Sequence, residues 1–172
     1  IIFVGEEAGS SLPAAERAKL ICEWTNYTRR LVDAPANEVT PAFLADEASR
    51  IASEYPELEC EIWGPEEITQ SGMGAFAAVG QGSSNTARMI ILRWRGQDDP
   101  ISPILGLVGK GITFDTGGIS IKPSARMADM KGDMAGAAAV IGAMGAIASL
   151  EISTSVVAVI AASENMVGSN SY

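Results

Sequence analysis

Two lysines and two aspartates, Lys110, Asp115, Lys122 and Asp133, fall within 24 residues. An apolar run (Ile104, Leu105, Leu107, Val108) leads into them, and Gly109, Gly111, Gly117 and Gly118 leave the backbone between them free to turn. The chain has no histidine. Ser-His-Asp and Cys-His catalysis cannot be assembled from it, nor can a histidine-based zinc site. A metal held here would rely on carboxylates, carbonyls, water or a less usual donor. Ligands of open α/β sheets gather at the C-terminal ends of strands. Lys110, two residues past Val108, is expected at such an end, with Asp115 and Lys122 in the loop and Asp133 in the first turn of the next helix.

Each residue also has an ordinary reading. A lysine at a strand end is usually solvated. Asp115 before Thr116-Gly117-Gly118 could shape a turn through its own side chain. Asp133, like Asp129 and Glu151, could be a helix-end charge, and Lys122 before Pro123 could be plain surface. The joint pattern favours a site: a buried strand empties into two amines and two acids across a glycine-rich loop.

The elements that must position these residues follow from composition and periodicity. With 172 residues, 47% hydrophobic and 19% charged, the chain suits one domain with a real core. The net charge of −9 argues against a basic nucleic-acid surface. Two distant cysteines, Cys22 and Cys60, make no disulfide framework, so a reducing cytoplasm is expected. The chain starts at Ile1 without a signal-peptide pattern. The longest uncharged run, the 17 residues Met134 to Leu150, is short for a membrane span of about 20 and reads as a buried helix.

Ile1 to Val4 reads as a short strand. Ser11, Pro13 and Glu16 open a helix whose apolar stripe is Leu20, Trp24, Tyr27 and Leu31. Thr40-Pro41 opens another, with Leu44, Ala48, Ile51 and Tyr55 on its buried side. Glu59 to Trp63 alternates like a half-buried strand, and Gly64-Pro65-Glu66-Glu67 starts a short helix. Residues 72–84 read as a glycine-rich loop, Arg88 to Trp94 as a strand, Gly96 to Pro100 as a turn and Pro103 to Val108 as a strand. A helix over Asp129 to Leu150 and a strand over Ser153 to Ala162 complete the pattern. Alternating helices and apolar strands predict an α/β fold, a mostly parallel or mixed sheet flanked by helices.

The run from Val108 to Ser124, Val-Gly-Lys-Gly-Ile-Thr-Phe-Asp-Thr-Gly-Gly-Ile-Ser-Ile-Lys-Pro-Ser, resembles the metal-site signature of leucine aminopeptidases, the cytosol aminopeptidases. So does Met-Lys-Gly-Asp-Met-Ala-Gly-Ala-Ala-Ala from Met130 to Ala139. Leu31 to Pro41 is similar to the family's entry into its catalytic domain, and Met73 to Gly82 and Ser163-Glu164-Asn165-Met166 are also family-like. The likeness covers roughly residues 15–168.

The resemblance implies a metallo-exopeptidase that removes the N-terminal residue from peptides with a free N-terminus. It implies two divalent cations, manganese, zinc or magnesium, sharing a bridging water. Lys110 and Asp133 would ligate one metal and Asp115 would bridge both. Lys122 would remain a cation that polarises the scissile carbonyl and stabilises the charge developing on its oxygen. Met130 would line the pocket for the first side chain. The family's Asn-Thr-Asp-Ala-Glu-Gly-Arg run, with further metal carboxylates and an arginine that holds bicarbonate, does not occur here. Residues 1–33 would then be a linker from a preceding domain and 34–172 the first part of an exopeptidase-like catalytic domain. The full-length protein would be a cytoplasmic homohexamer without nucleic-acid or membrane partners, and this chain alone would turn over no substrate. Two alternatives stand beside this reading. One is a phosphate- or nucleotide-binding module cradling an anion at a helix start, although no Gly-x-x-x-x-Gly-Lys-Ser/Thr or Gly-x-Gly-x-x-Gly run is present. The other is a non-catalytic homologue.

Overall fold

Met89-Ile90-Ile91-Leu92 does not alternate apolar with polar, so a strand built from it must bury both faces. That is what the computed structural model, which describes residue 9 and residues 11–96 and 103–171, shows. Strand β2 (Arg88–Trp94) lies inside a four-stranded sheet of order β1-β2-β4-β3, with β1 Leu58–Trp63, β3 Leu105–Asp115 and β4 Val156–Asn165. Ile90, Leu92 and Trp94 join Val156, Ala158, Ile160 and Ala162 of β4 in the main core. Met89 and Ile91 face the other way, into a smaller cluster with Ile68 and Ala87.

The sheet is mixed. β1 and β2 pair antiparallel, as do β2 and β4, whereas β3 and β4 pair parallel. Of the two sheet types expected, the mixed one is therefore found. An apolar strand buried on both faces reads alike in either type of ladder, so its composition cannot tell them apart. β3 lies at the sheet's edge, and Leu105 and Val108 remain exposed there.

Helix α1 (Leu12–Asp33) packs on α5 (Ala135–Ser149), and α2 (Pro41–Ser53) adds Leu44, Ala48 and Ile51 to the main core. Thr40 caps α2 by accepting from the Phe43 N–H at 3.2 Å, and Pro41 occupies its first turn, as Thr40-Pro41 predicts. The α1–α5 contact depends on a missing side chain. A Cβ on Gly145 would lie 2.4 Å from the Trp24 ring, so no larger residue fits under that indole. Trp24 Nε1 donates to Ser149 Oγ at 2.8 Å across the same seam. Tyr27 OH donates to Glu47 Oε2 at 2.7 Å, tying α1 to α2. Burial, reinforced by the bond to Glu47 and its charge, raises the Tyr27 phenol above its ordinary value. Arg50 hydrogen-bonds Glu47 and holds that carboxyl below its own.

Two stretches differ from expectation. Residues 72–84, expected as a loop or a loosely packed segment close to another element, hold α4 (Gly74–Val79) and a 3-10 turn at Gly80–Gly82, after α3 (Pro65–Gln70), and Gly82 does lie close against the Met166 carbonyl. Phe76 and Ala77 pack against the smaller cluster, and that burial outweighs the glycine content. The helix expected from Asp129 to Leu150 is two pieces, a 3-10 segment over Met127–Met134 followed by α5. Gly132 and Asp133 are poor helix formers, and their neighbours are held elsewhere: Lys131 Nζ donates to the Asp33 carbonyl and Lys110 pairs with Asp133. By length and composition Met127–Ser149 could cross a membrane. Here Met134, Ala137, Ala138, Ile141 and Met144 are core residues. The expected strand at Ile1 to Val4 and the turn beyond Gly96 lie outside the described residues.

Candidate metal centre

The apolar run stops at Val108, but β3 continues to Asp115. Lys110 therefore lies inside the strand, not beyond its end, and Gly109 and Gly111 are strand residues rather than the turn residues expected. Their small size serves packing. A Cβ on Gly109 would come within 2.9 Å of Ala137 Cα and 3.0 Å of the Gly136 carbonyl oxygen. On Gly111 it would meet the Ala161 carbonyl oxygen at 2.9 Å. Because both are glycine, the first turn of α5 lies against β3 beside Lys110.

Lys110 and Asp115 are five residues apart in the strand. A regular strand would separate them by about 16 Å and point them to opposite faces. A bulge changes this. From Ile112 to Asp115 β3 advances three residues, while the partners on β4, Ser163 and Asn165, advance two. The extra residue restores the alternation, so Asp115 pairs with Asn165 and Lys110 with Ala161, four residues apart along β4 and on one face.

Past the strand the chain reverses through Gly117 (φ 92°) and Gly118 (φ 69°), conformations that favour glycine. The Lys122 N–H donates to the Thr116 carbonyl at 2.8 Å and closes the loop. Lys122 Nζ thereby reaches Asp115 Oδ2 at 2.5 Å and Met130 Sδ at 3.2 Å. The other oxygen, Asp115 Oδ1, accepts from Gly117 N–H at 2.9 Å and from Asn165 Nδ2 at 2.7 Å. Burial works against the Asp115 charge, but the bonds from Lys122, Gly117 and Asn165 outweigh it and hold the carboxyl below its ordinary value. The turn-shaping role of Asp115 is real, through the Gly117 bond, and coexists with the ion pair.

Asp133 sits in the 3-10 segment, before α5 rather than in its first turn. Its Oδ1 lies 2.5 Å from Lys110 Nζ. Its Oδ2 is buried with no hydrogen-bond partner among the described residues. An unsatisfied buried carboxylate oxygen costs about 1–3 kcal/mol or more, and a cation is what would satisfy it. Lys110 exposes 62% of its side chain. The carboxylates of Asp115 and Asp133 and the amine of Lys110 are donor types that would fit a divalent cation. They would make up at most part of a coordination shell: no cluster of three or more His, Cys, Asp or Glu suited to a metal occurs among the described residues.

The structure thus groups the five predicted residues as two ion pairs, Lys110–Asp133 and Lys122–Asp115, with Met130 against the second. Reasoning from sequence missed Asn165, whose side chain reaches Asp115, although Ser163-Glu-Asn-Met166 marks the place. Glu164 is buried and accepts from Asn85 Nδ2 at 3.1 Å and from Ser83 Oγ, so it clamps the 83–85 segment and faces no lysine. A hollow of about 220 Å³, lined in part by Gly117, Gly118 and Asn165, opens beside the Asp115 loop. A larger one of about 580 Å³ lies under α3 and α4 and is lined by none of the four charged residues. None of the four charged residues lines the smaller hollow either, although it adjoins the loop that follows Asp115.

The model of the cytosol aminopeptidase family, catalytic domain, matches residues 26–172. The chain is 48% identical over 152 residues to a probable cytosol aminopeptidase of Aliivibrio fischeri (strain MJ11), covering 88% of this chain and 30% of that protein. It is 44% identical over 160 residues to one of Acidovorax ebreus (strain TPSY), covering 93% and 32%. It spans about a third of the length of these relatives. Among solved structures, the bottromycin maturation enzyme BotP in complex with Mn superposes with a TM-score of 0.86 at 35% identity, covering 99% of this chain and 35% of that one. A match that contains both ion pairs, on a backbone that follows a solved relative nearly end to end, places this chain in the cytosol aminopeptidase family, within its catalytic domain.

Proposed function

We propose that the protein carrying this chain is a metal-dependent aminopeptidase that cleaves the N-terminal residue from peptides. The carrying observation is the buried, unpartnered Oδ2 of Asp133 beside Lys110, on a strand whose bulge returns Asp115 to the same face. In this reading Lys110, Asp115 and Asp133 would hold two divalent cations. Manganese, zinc and magnesium suit these donors, and the Mn complex of BotP supports the first. Bound there, the cations would supply Lewis acidity and a water of lowered pKa.

The chain's own residues do the rest. Lys110 would serve as a ligand through its amine nitrogen. Lys122, paired with Asp115 at 2.5 Å, would offer its positive charge to the carbonyl oxygen of the bond to be cut. Met130 flanks that ammonium and offers an apolar wall to the first side chain. The remaining metal carboxylates, the arginine with its bicarbonate, the hexamer, the cytoplasmic location and the linker role of residues 1–33 belong to the same proposal for the full-length protein. A phosphate-binding module is disfavoured, because Asp133 and Asp115 beside the two lysines would repel a phosphate.

In the complete protein, hydrolysis of a leucyl amide is expected to vanish on treatment with a chelator and to return on adding Mn²⁺. An N-acetylated peptide is expected to resist. Cleavage indifferent to the chelator, or equal cleavage of the blocked peptide, would overturn the reading.

A further inference from the structure

We infer that Asn165 is a positioning residue for the Asp115 carboxylate, fixing the oxygen through which that group serves the centre; the inference rests on the metal reading above. Two main-chain and side-chain groups of Thr116 already tie down the end of β4. Thr116 N–H and Thr116 Oγ1 both donate to the Asn165 carbonyl at 2.9 Å. Strand pairing there needs nothing from the Asn165 side chain, which is left for Asp115. A carboxylate only accepts, so the amide nitrogen must be the atom that faces it. That nitrogen stands 2.7 Å from Oδ1, the oxygen that also takes the Gly117 N–H at 2.9 Å.

Two donors on one oxygen, one from the backbone and one from the opposing strand, set the plane of the carboxylate. Oδ2 is thereby held toward Lys122. The bulge between Ile112 and Asp115 makes the contact possible, since without it Asp115 would not stand opposite Asn165. An amide also suits the task electrically. It stabilises the anion without adding a positive charge that would compete with a cation, whereas an aspartate here would set two carboxylates against each other and a leucine would strip the donor. Outer groups that orient a ligand typically change metal affinity by about 10–100-fold when lost.

The test uses the complete protein, freed of metal and titrated calorimetrically with Mn²⁺. Absence of Mn²⁺ binding by the wild type overturns the metal reading and with it this inference. If the wild type binds, Asn165→Leu, which keeps the volume and deletes the donor, is expected to weaken Mn²⁺ by about 10-fold. Its kcat at saturating Mn²⁺ is expected to fall while KM for the leucyl amide changes less. If Asn165→Leu does not fold, Asn165→Ala is measured in the same way. Asn165→Gln, which retains the amide, is expected to recover part of the affinity. A folded donor-less variant with wild-type Mn²⁺ affinity would overturn the inference while leaving the metal reading intact, even if that variant melts at a lower temperature.

Discussion

Replacing Asp115 by alanine is expected to abolish metal-dependent cleavage in the complete protein, a fall of more than about 10³-fold, beyond what loss of a single charge-stabilising donor costs. The size follows from how many groups converge on one side chain. Lys122 Nζ, Gly117 N–H and Asn165 Nδ2 all donate to it, and by the proposed function it is also a ligand shared between cations. Alanine removes the ligand and leaves those three donors without their acceptor, at about 1–3 kcal/mol for each one that water cannot reach. Some loss of stability should therefore accompany the loss of activity. Asp115→Asn separates the two, because it keeps the shape and a neutral acceptor for Gly117 and Asn165 while removing the charge. A folded Asp115→Asn protein with little Mn²⁺ bound and little turnover is the expected result. Undiminished cleavage in either variant would remove Asp115 from the mechanism.

Lys122→Ala should behave differently. Turnover is expected to drop about 10²–10³-fold, the usual cost of removing one donor aimed at a developing oxyanion, with bound Mn²⁺ near the wild-type level. Lys122 is held by a closed loop, Gly117 and Gly118 at positive φ and its own N–H on Thr116, so its ammonium is placed before substrate arrives. It pairs with Asp115 and contacts Met130, whereas Asp133 pairs with Lys110. Truncating it should therefore spare the Lys110–Asp133 pair. Metal analysis alongside kcat distinguishes the roles. A large loss of bound metal on Lys122→Ala would make it a ligand or a ligand's support rather than a charge offered to substrate.

Much of this arrangement could be read from residue types alone, for reasons that differ from place to place. Thr40-Pro41, the Leu44, Ala48 and Ile51 stripe and the apolar run of β2 carry local signals strong enough to set their elements. The four charged residues stood out because amines and acids do not build cores. The end of β3 was not legible. Gly109 and Gly111 look like turn residues by composition, and only the approach of α5 shows that they are strand positions emptied of side chains. The bulge that brings Lys110 and Asp115 to one face was also invisible, since it is a property of pairing with β4 and leaves no local signature. Asn165 was hidden for the same reason, being 50 residues from the carboxylate it holds. The two pieces over residues 127–149 look like one helix in sequence because the uncharged apolar run from Met134 to Leu150 masks a 3-10 entry whose geometry is set by contacts with Asp33 and Lys110.

The most direct measurement is anomalous diffraction from crystals of the complete protein grown with Mn²⁺. The account predicts manganese peaks within about 2.0–2.3 Å of carboxylate oxygens of Asp115 and Asp133, with Lys110 Nζ turned from its ion pair onto the same metal and Asp133 Oδ2 no longer without a partner. Manganese bound elsewhere, with Lys110 still paired to Asp133 as an ammonium in a fully active crystal, would contradict it.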